Sequence, residues 1–249
     1  MAEDAATGGV RRDGLYGRRK GRPLSPSREG LMASVFPALA VDIAAPAPKS
    51  LAALFPHAPT RIHLEIGFGG SEHLIAEATR LPDAGFIGVE PFVNGMAKAV
   101  TAIADDGMHN VRLFSGEASV LLDWLPPASC DLIELLYPDP WPKKRHWKRR
   151  FVSAENLTRL ARVLKPGGAF RFASDIPGYV EWTLVQVLAD THFEWTAERA
   201  TDWTHPYPDW PGTRYEAKAQ REGRTPTYLE FRRGQGRHRD PHSGGAARR

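Results

Sequence analysis

Residues 61–90 read RIHLEIGFGGSEHLIAEATRLPDAGFIGVE, and this stretch decides the fold. An apolar run, Arg61 to Ile66, ends in the glycine turn Gly67-Phe68-Gly69-Gly70. Residues 71–80 then repeat apolar side chains at helical spacing, and a second apolar run, 86–90, follows Pro82 and Gly85. A helix between two strands supplies the long crossover that a parallel pair needs. The same alternation continues outward. Residues 111–114, 131–137 and 169–174 read as strands, and 94–105, 149–163 and 178–190 as helices. The runs 193–199 and 227–232 have no long helix between them and a further parallel strand, so they suit a terminal antiparallel hairpin. The expected class is α/β: a Rossmann-like, mostly parallel sheet with helices on both faces and a terminal antiparallel strand.

Ligands of such sheets sit beyond the carboxyl ends of the strands. At the first of these ends Gly67 and Gly69 let the backbone turn tightly and approach a ligand, and Ser71 is placed to cap the following helix. Glu90 ends the second strand 23 residues after Gly67, where a carboxylate can accept both hydroxyls of a ribose. Glu65 stands just before the turn. A dinucleotide site wants a third glycine where this chain has Glu72, whose charge would repel a diphosphate. The segment reads either as a structural turn or as a site for an adenosine ligand without phosphate. S-adenosylmethionine, with a ribose and a cationic sulfonium, suits Glu65 and Glu90. Glu117, after the third strand, is open to two readings: a partner for an adenine amino group, or an acid favoured by the dipole of the next helix.

The net charge is +4, with 33 Lys+Arg against 29 Asp+Glu, but it is unevenly spread. Residues 1–30 and the last eighteen residues are basic, while residues 31–231 carry −4 in spite of the strip Lys143 to Arg150, KKRHWKRR. An acidic body with one dense basic strip fits a polyanion met at a defined place. Immediately before the strip, Tyr137-Pro138-Asp139-Pro140-Trp141-Pro142 ends the fourth strand, and its three prolines hold Asp139 and Trp141 in a stiff loop. A polyanion bound by the strip is thereby led to Asp139. Lys143, Lys144, Arg145, Lys148, Arg149 and Arg150 are expected to meet phosphates.

The expected domain is residues 31–233, between a flexible basic arm (1–30) and a flexible basic tail (234–249) whose Gly- and Arg-rich compositions bury little apolar surface. Residues 37–60 are punctuated by prolines and suit at most one short helix, at 49–54. The lone cysteine, Cys130, excludes an internal disulfide framework and reads as a buried filler. No histidine pair or cysteine cluster calls for a metal, and the first residues lack the apolar core of a secretion signal, so a cytoplasmic protein is expected.

Taken together, the stretches Leu64 to Gly70, Ile87 to Phe92, Tyr137 to Arg150, Leu164 to Gly168, Ala173 to Asp175 and Thr213 to Lys218 resemble the bacterial tRNA (guanine-N7-)-methyltransferase family, over about residues 60–232. That family methylates guanine 46 in the variable loop of tRNA. The resemblance implies a class I methyltransferase fold and S-adenosyl-L-methionine contacts at Glu65, Gly67, Gly69, Glu90, Glu117 and Asp139. It implies guanine or RNA contacts at Lys143, Asp175, Thr213, Arg214, Tyr215 and Glu216, with Asp139 the catalytic residue. Asp175 also reads as a cap for the next helix, and Glu216 as the partner of a lysine on a helix face. The sequence departs from the family at Ser71, often glycine there, and at Glu117, commonly aspartate. The implied partner is tRNA, with no membrane and no metal, in a monomer or homodimer. The alternatives are a non-catalytic RNA-binding protein, an NAD-linked oxidoreductase, disfavoured by Glu72, and an amino-group methyltransferase, disfavoured by the basic strip.

Overall fold

The computed structural model describes residues 21–234. Among these, seven strands form one sheet: β1 (Ile62–Ile66), β2 (Gly85–Val89), β3 (Val111–Phe114), β4 (Cys130–Leu136), β5 (Leu164–Ser174), β6 (Phe193–Trp195) and β7 (Thr227–Arg233). Their order is β3-β2-β1-β4-β5-β7-β6, with β7 antiparallel to β5 and β6 and every other pair parallel. The helices are α1 (Pro26–Ser34), α2 (Phe36–Leu39), α3 (Glu72–Arg80), α4 (Val93–Asp105), α5 (Ala118–Trp124), α6 (Ala154–Val163), α7 (Pro177–Ala189), α8 (Thr201–Thr204) and α9 (Arg214–Arg221). Strand order reverses between β1 and β4, so the crevice for a ligand opens at their carboxyl ends.

The sheet has two unlike faces. Ile62, Leu64 and Ile66 of β1, Ile133 and Leu135 of β4, Phe170 and Phe172 of β5, and Leu229 and Phe231 of β7 join one continuous apolar core with residues of α5, α6 and α7. Over β2 and β3 the opposite face is apolar too, packed by Leu74 and Ala78 of α3 and by Met96, Ala99, Val100 and Ile103 of α4. Over the central strands it is charged. Glu65, Glu134, Arg171 and Glu230 stand in register across β1, β4, β5 and β7. Arg171 lies 3.6 Å from Glu134 and 2.8 Å from Glu230, under the Tyr207 ring at 4.4 Å. His73 of α3 closes the other end, with Nδ1 2.9 Å from Glu65. Burial acts to lower the His73 pKa, but Glu65, Glu134 and Glu77 outweigh it and hold it up at about 9. Burial pushes the Glu134 carboxyl up to about 7, against the pull of His73 and Arg171.

Several expectations need correction. The arm was expected to run to residue 30, yet α1 begins at Pro26, and Leu31 and Met32 pack on the core beside α4. Residues 1–20 and 235–249, which hold most of the expected arm and tail, lie outside the described residues. The span 149–163 is not one helix: a 3-10 turn, Lys144–Arg149, precedes α6, whose start is set by Ser153 accepting from the Asn156 N–H at 3.3 Å. Helix α5 follows Glu117, where a helix was expected without stated bounds. Ser71 does not cap α3; it adopts φ 69° and its hydroxyl donates to the Gly70 carbonyl.

Arg150 also differs from expectation. It is buried, donates to the carbonyls of Pro140 (3.0 Å) and Gly178 (2.9 Å), and stacks over Trp147, Tyr179 and Trp182. It ties the loop after β4 to α7 and is not presented to a phosphate. Arg150→Met should therefore cost about 2–3 kcal/mol, lowering the melting midpoint by roughly 5–10 °C, while Lys144→Met in the exposed part of the strip leaves it unchanged; calorimetry of the two variants separates them, and equal midpoints would refute the bracing role. The raised pKa values of Glu134 and His73 give a second expectation. The folded protein holds these protons more tightly than the unfolded chain, so their stabilisation is complete below 4.5 and 6.5 respectively and is lost as pH rises through about 7 and about 9. The melting midpoint should fall from pH 6.5 to about 9, and His73→Gln should flatten the upper part of that fall.

Candidate active site

A cleft of about 640 Å3 opens at the carboxyl edge of β1, β2 and β4, and Gly67, Gly69, Glu90, Glu117 and Asp139 all line it. The glycine turn is built for close approach. Gly67 has φ +73° and nothing stands within 4 Å of where a Cβ would project, so its backbone faces open space. A Cβ on Gly95 of α4 would stand 2.3 Å from the Gly69 carbonyl, so only glycine lets α4 approach the turn. Glu90 fixes the arrangement: one carboxylate oxygen accepts the Gly69 N–H at 2.7 Å and the other the Phe92 N–H at 2.9 Å. Both bonds orient the carboxylate and leave further lone pairs for a diol. Burial raises the Glu90 pKa, with the two backbone N–H groups opposing and Asp139 adding to the rise.

Glu65 is not in this cleft. It lies behind the turn, paired to His73, in a small recess shared with Glu72, Thr213 and Tyr215. Glu117 is the residue before α5, and its side chain makes no capping bond to that helix.

After β4 the chain enters the proline loop through Tyr137 at φ 50° and turns again at Trp141 with φ 43°. Left-handed backbone at bulky residues costs on the order of 1–3 kcal/mol each and persists only where the surroundings impose it. Here Arg150 clamps the Pro140 carbonyl, and the Arg149 guanidinium lies 4.9 Å over the Trp141 ring. Asp139 stands at the exposed rim, where partial burial raises its pKa. Lys148 and Arg149 line the cleft, while Lys143, Lys144 and Arg145 are exposed outside it. Trp147 packs against Trp182 at 5.6 Å.

The remaining candidates separate. Tyr215 lines the cleft, its hydroxyl 3.0 Å from where a Cβ on Gly69 would lie. Arg214 stacks on Tyr215 and stands 3.9 Å from Glu72. Thr213 caps α9 by accepting the Glu216 N–H at 3.0 Å. Glu216 is buried and accepts from the Trp210 indole and the Tyr228 hydroxyl, not from a lysine. Asp175 pairs with Arg224 and makes no capping bond to α7. Cys130 is fully buried and its thiol is pushed up to about 12, which leaves it inert. Tyr179, Phe151 and Asn156 of the cleft wall escaped the sequence reading; the Ser153-x-x-Asn156 cap was the one local signal near them.

No group of three or more potential metal ligands occurs among the described residues, and no helix there is long and apolar enough to cross a membrane. Residues 59–229 match a protein family described as "Putative methyltransferase". The 16S rRNA methyltransferase KamB shares the fold at a TM-score of 0.53 and 18% identity, over 71% of this chain and 89% of that one. A protein of Rhizobium meliloti named tRNA (guanine-N(7)-)-methyltransferase is 57% identical over 89% of this chain and 95% of its own length. One of the same name from Chelativorans sp. is 56% identical over 88% and 94%. Coverage this complete, on a class I methyltransferase fold, places the chain in the tRNA (guanine-N(7)-)-methyltransferase family.

Proposed function

We propose that this protein transfers the methyl group of S-adenosylmethionine to N7 of guanine 46 in the variable loop of tRNA, in the cytoplasm. The observation that carries this reading is that the glycine turn, Glu90 and Asp139 open onto one cleft whose wall includes Lys148 and Arg149. The open backbone at Gly67 and the oriented carboxylate of Glu90 fit a cationic ligand bearing a diol.

When bound, S-adenosylmethionine supplies an electrophilic methyl group on a positively charged sulfur. Glu90 would hold the ribose hydroxyls, Gly67 and Gly69 would let the backbone lie against the ligand, and Glu117 would stand near the base. Guanine N7 carries an in-plane lone pair and no proton, so no side chain has to act as a base. The chain's task is to align two reactants and exclude water. Asp139 would stabilise the positive charge that the purine gains, and partial burial makes its charge more effective than in water. Tyr215, lying over Gly69, would roof the site, with Thr213 and Glu216 holding α9 in place. Asp175 and Arg224 form an ion pair on the same side, and Arg214 would complete the guanine-facing segment. Lys143, Lys144, Arg145, Lys148 and Arg149 would grip phosphates.

The test is transfer of labelled methyl to unmodified tRNA with the product nucleoside identified. Wild type should yield 7-methylguanosine, and Asp139→Ala should lose about 100- to 1,000-fold in kcat with tRNA affinity little changed. Binding without transfer would instead support a non-catalytic RNA-binding protein. With five engaged cations the affinity should fall with salt at a log-log slope of about −3.5 for a largely single-stranded contact. Replacing Lys144 and Arg145 together by Ala should reduce that slope by about 1.4; an unchanged slope would place the RNA elsewhere.

A further inference from the structure

His73 is the second residue of α3, where the helix dipole disfavours a positive charge. It is buried all the same, and Glu65, Glu134 and Glu77 keep it protonated well above the ordinary histidine range. A buried ion pair of this kind adds little to stability over well-packed apolar side chains. Its geometry suggests another use. One side of the ring meets Glu65, two residues before Gly67. The Trp210 ring lies against it at 4.7 Å. The Trp210 indole N–H donates to Glu216 at 2.5 Å, and Glu216 belongs to α9, which carries Tyr215 over Gly69. The glycine turn and the 210–216 segment are thus joined at two places: directly by Tyr215 over Gly69, and from behind through His73 and Trp210.

We propose that His73 is a positioning residue that couples the cofactor turn to the segment carrying Tyr215, so that ordering either one by its ligand favours the bound arrangement of the other. This rests on the functional reading above, with Gly67 and Gly69 facing the cofactor and Tyr215 facing the purine. Glu65 acts through the same link, as the anchor of His73.

The experiment measures the affinity of S-adenosylhomocysteine for the full chain with and without unmodified tRNA, for wild type, His73→Gln and Trp210→Phe. In wild type tRNA should tighten S-adenosylhomocysteine binding about fivefold or more. His73→Gln should leave each separate affinity within about threefold and bring the coupling close to one. Trp210→Phe, which keeps a ring but loses the N–H to Glu216, should do the same, and the double variant should be no worse than either single one. Full coupling in folded His73→Gln, absence of coupling in wild type, or equal weakening with and without tRNA would each overturn the proposal. Should His73→Gln fail to fold, Trp210→Phe decides the matter alone. Wild-type activity separates the two levels: 7-methylguanosine formed with coupling intact in the variants removes only this inference, whereas no 7-methylguanosine removes the functional reading itself.

Discussion

A row of charge on one face of the sheet, Glu65 and Glu134 buried and Arg171 and Glu230 half-buried, constrains much of what is built over it. Charges out of water must be paired and hydrogen-bonded or they cost several kcal/mol each. That requirement brings His73 down from α3 onto Glu65 and seats Tyr207 over Arg171, its hydroxyl 3.0 Å from the carbonyls of Phe172 and Leu229. Tyr207, Trp210 and Tyr228 then pack edge to face, and the segment leading to Tyr215 is drawn over the glycine turn. A greasy face at these strands would pack as well but would fix this segment less specifically.

The site itself is stiffened by local devices of different kinds. At the glycine-turn end two backbone N–H groups lock the Glu90 carboxylate. At the other end Arg150 holds a loop that passes through two strained residues, Tyr137 and Trp141. Both devices fix groups before a ligand arrives, which suits a reaction whose demand is alignment and not proton transfer.

The parallel sheet was legible in the sequence because its strands and helices carry clean periods, and the antiparallel pairing of β6 with β7 was legible because no long crossover helix lies between them, α8 and α9 being short. The bounds of helix α5 were not, since ASVLLDW is too short to show a period against its flanking loops. That the glycine turn and Glu90 meet at one cleft followed from their spacing, and that Asp139 stands there followed from the proline loop at the end of β4. The inward position of Arg150 and the pairing of Glu65 with His73 could not be foreseen, because a charge in a run or beside a turn looks the same in sequence whether it faces solvent or packs inward. The buried partners of Glu216 could not be foreseen for a related reason: Trp210 and Tyr228 come from different segments, one of them a distant strand.

The proposed function requires one preformed cleft, bounded by the glycine turn, Glu90 and the proline loop, to receive the cofactor. Hydrogen exchange of the full chain with and without S-adenosylhomocysteine tests it most directly. Slowed exchange is expected at 67–71, 90–96, 115–119 and 137–141, with the far half of α7 unchanged. Binding that slows exchange elsewhere and leaves these four segments as they were would contradict it.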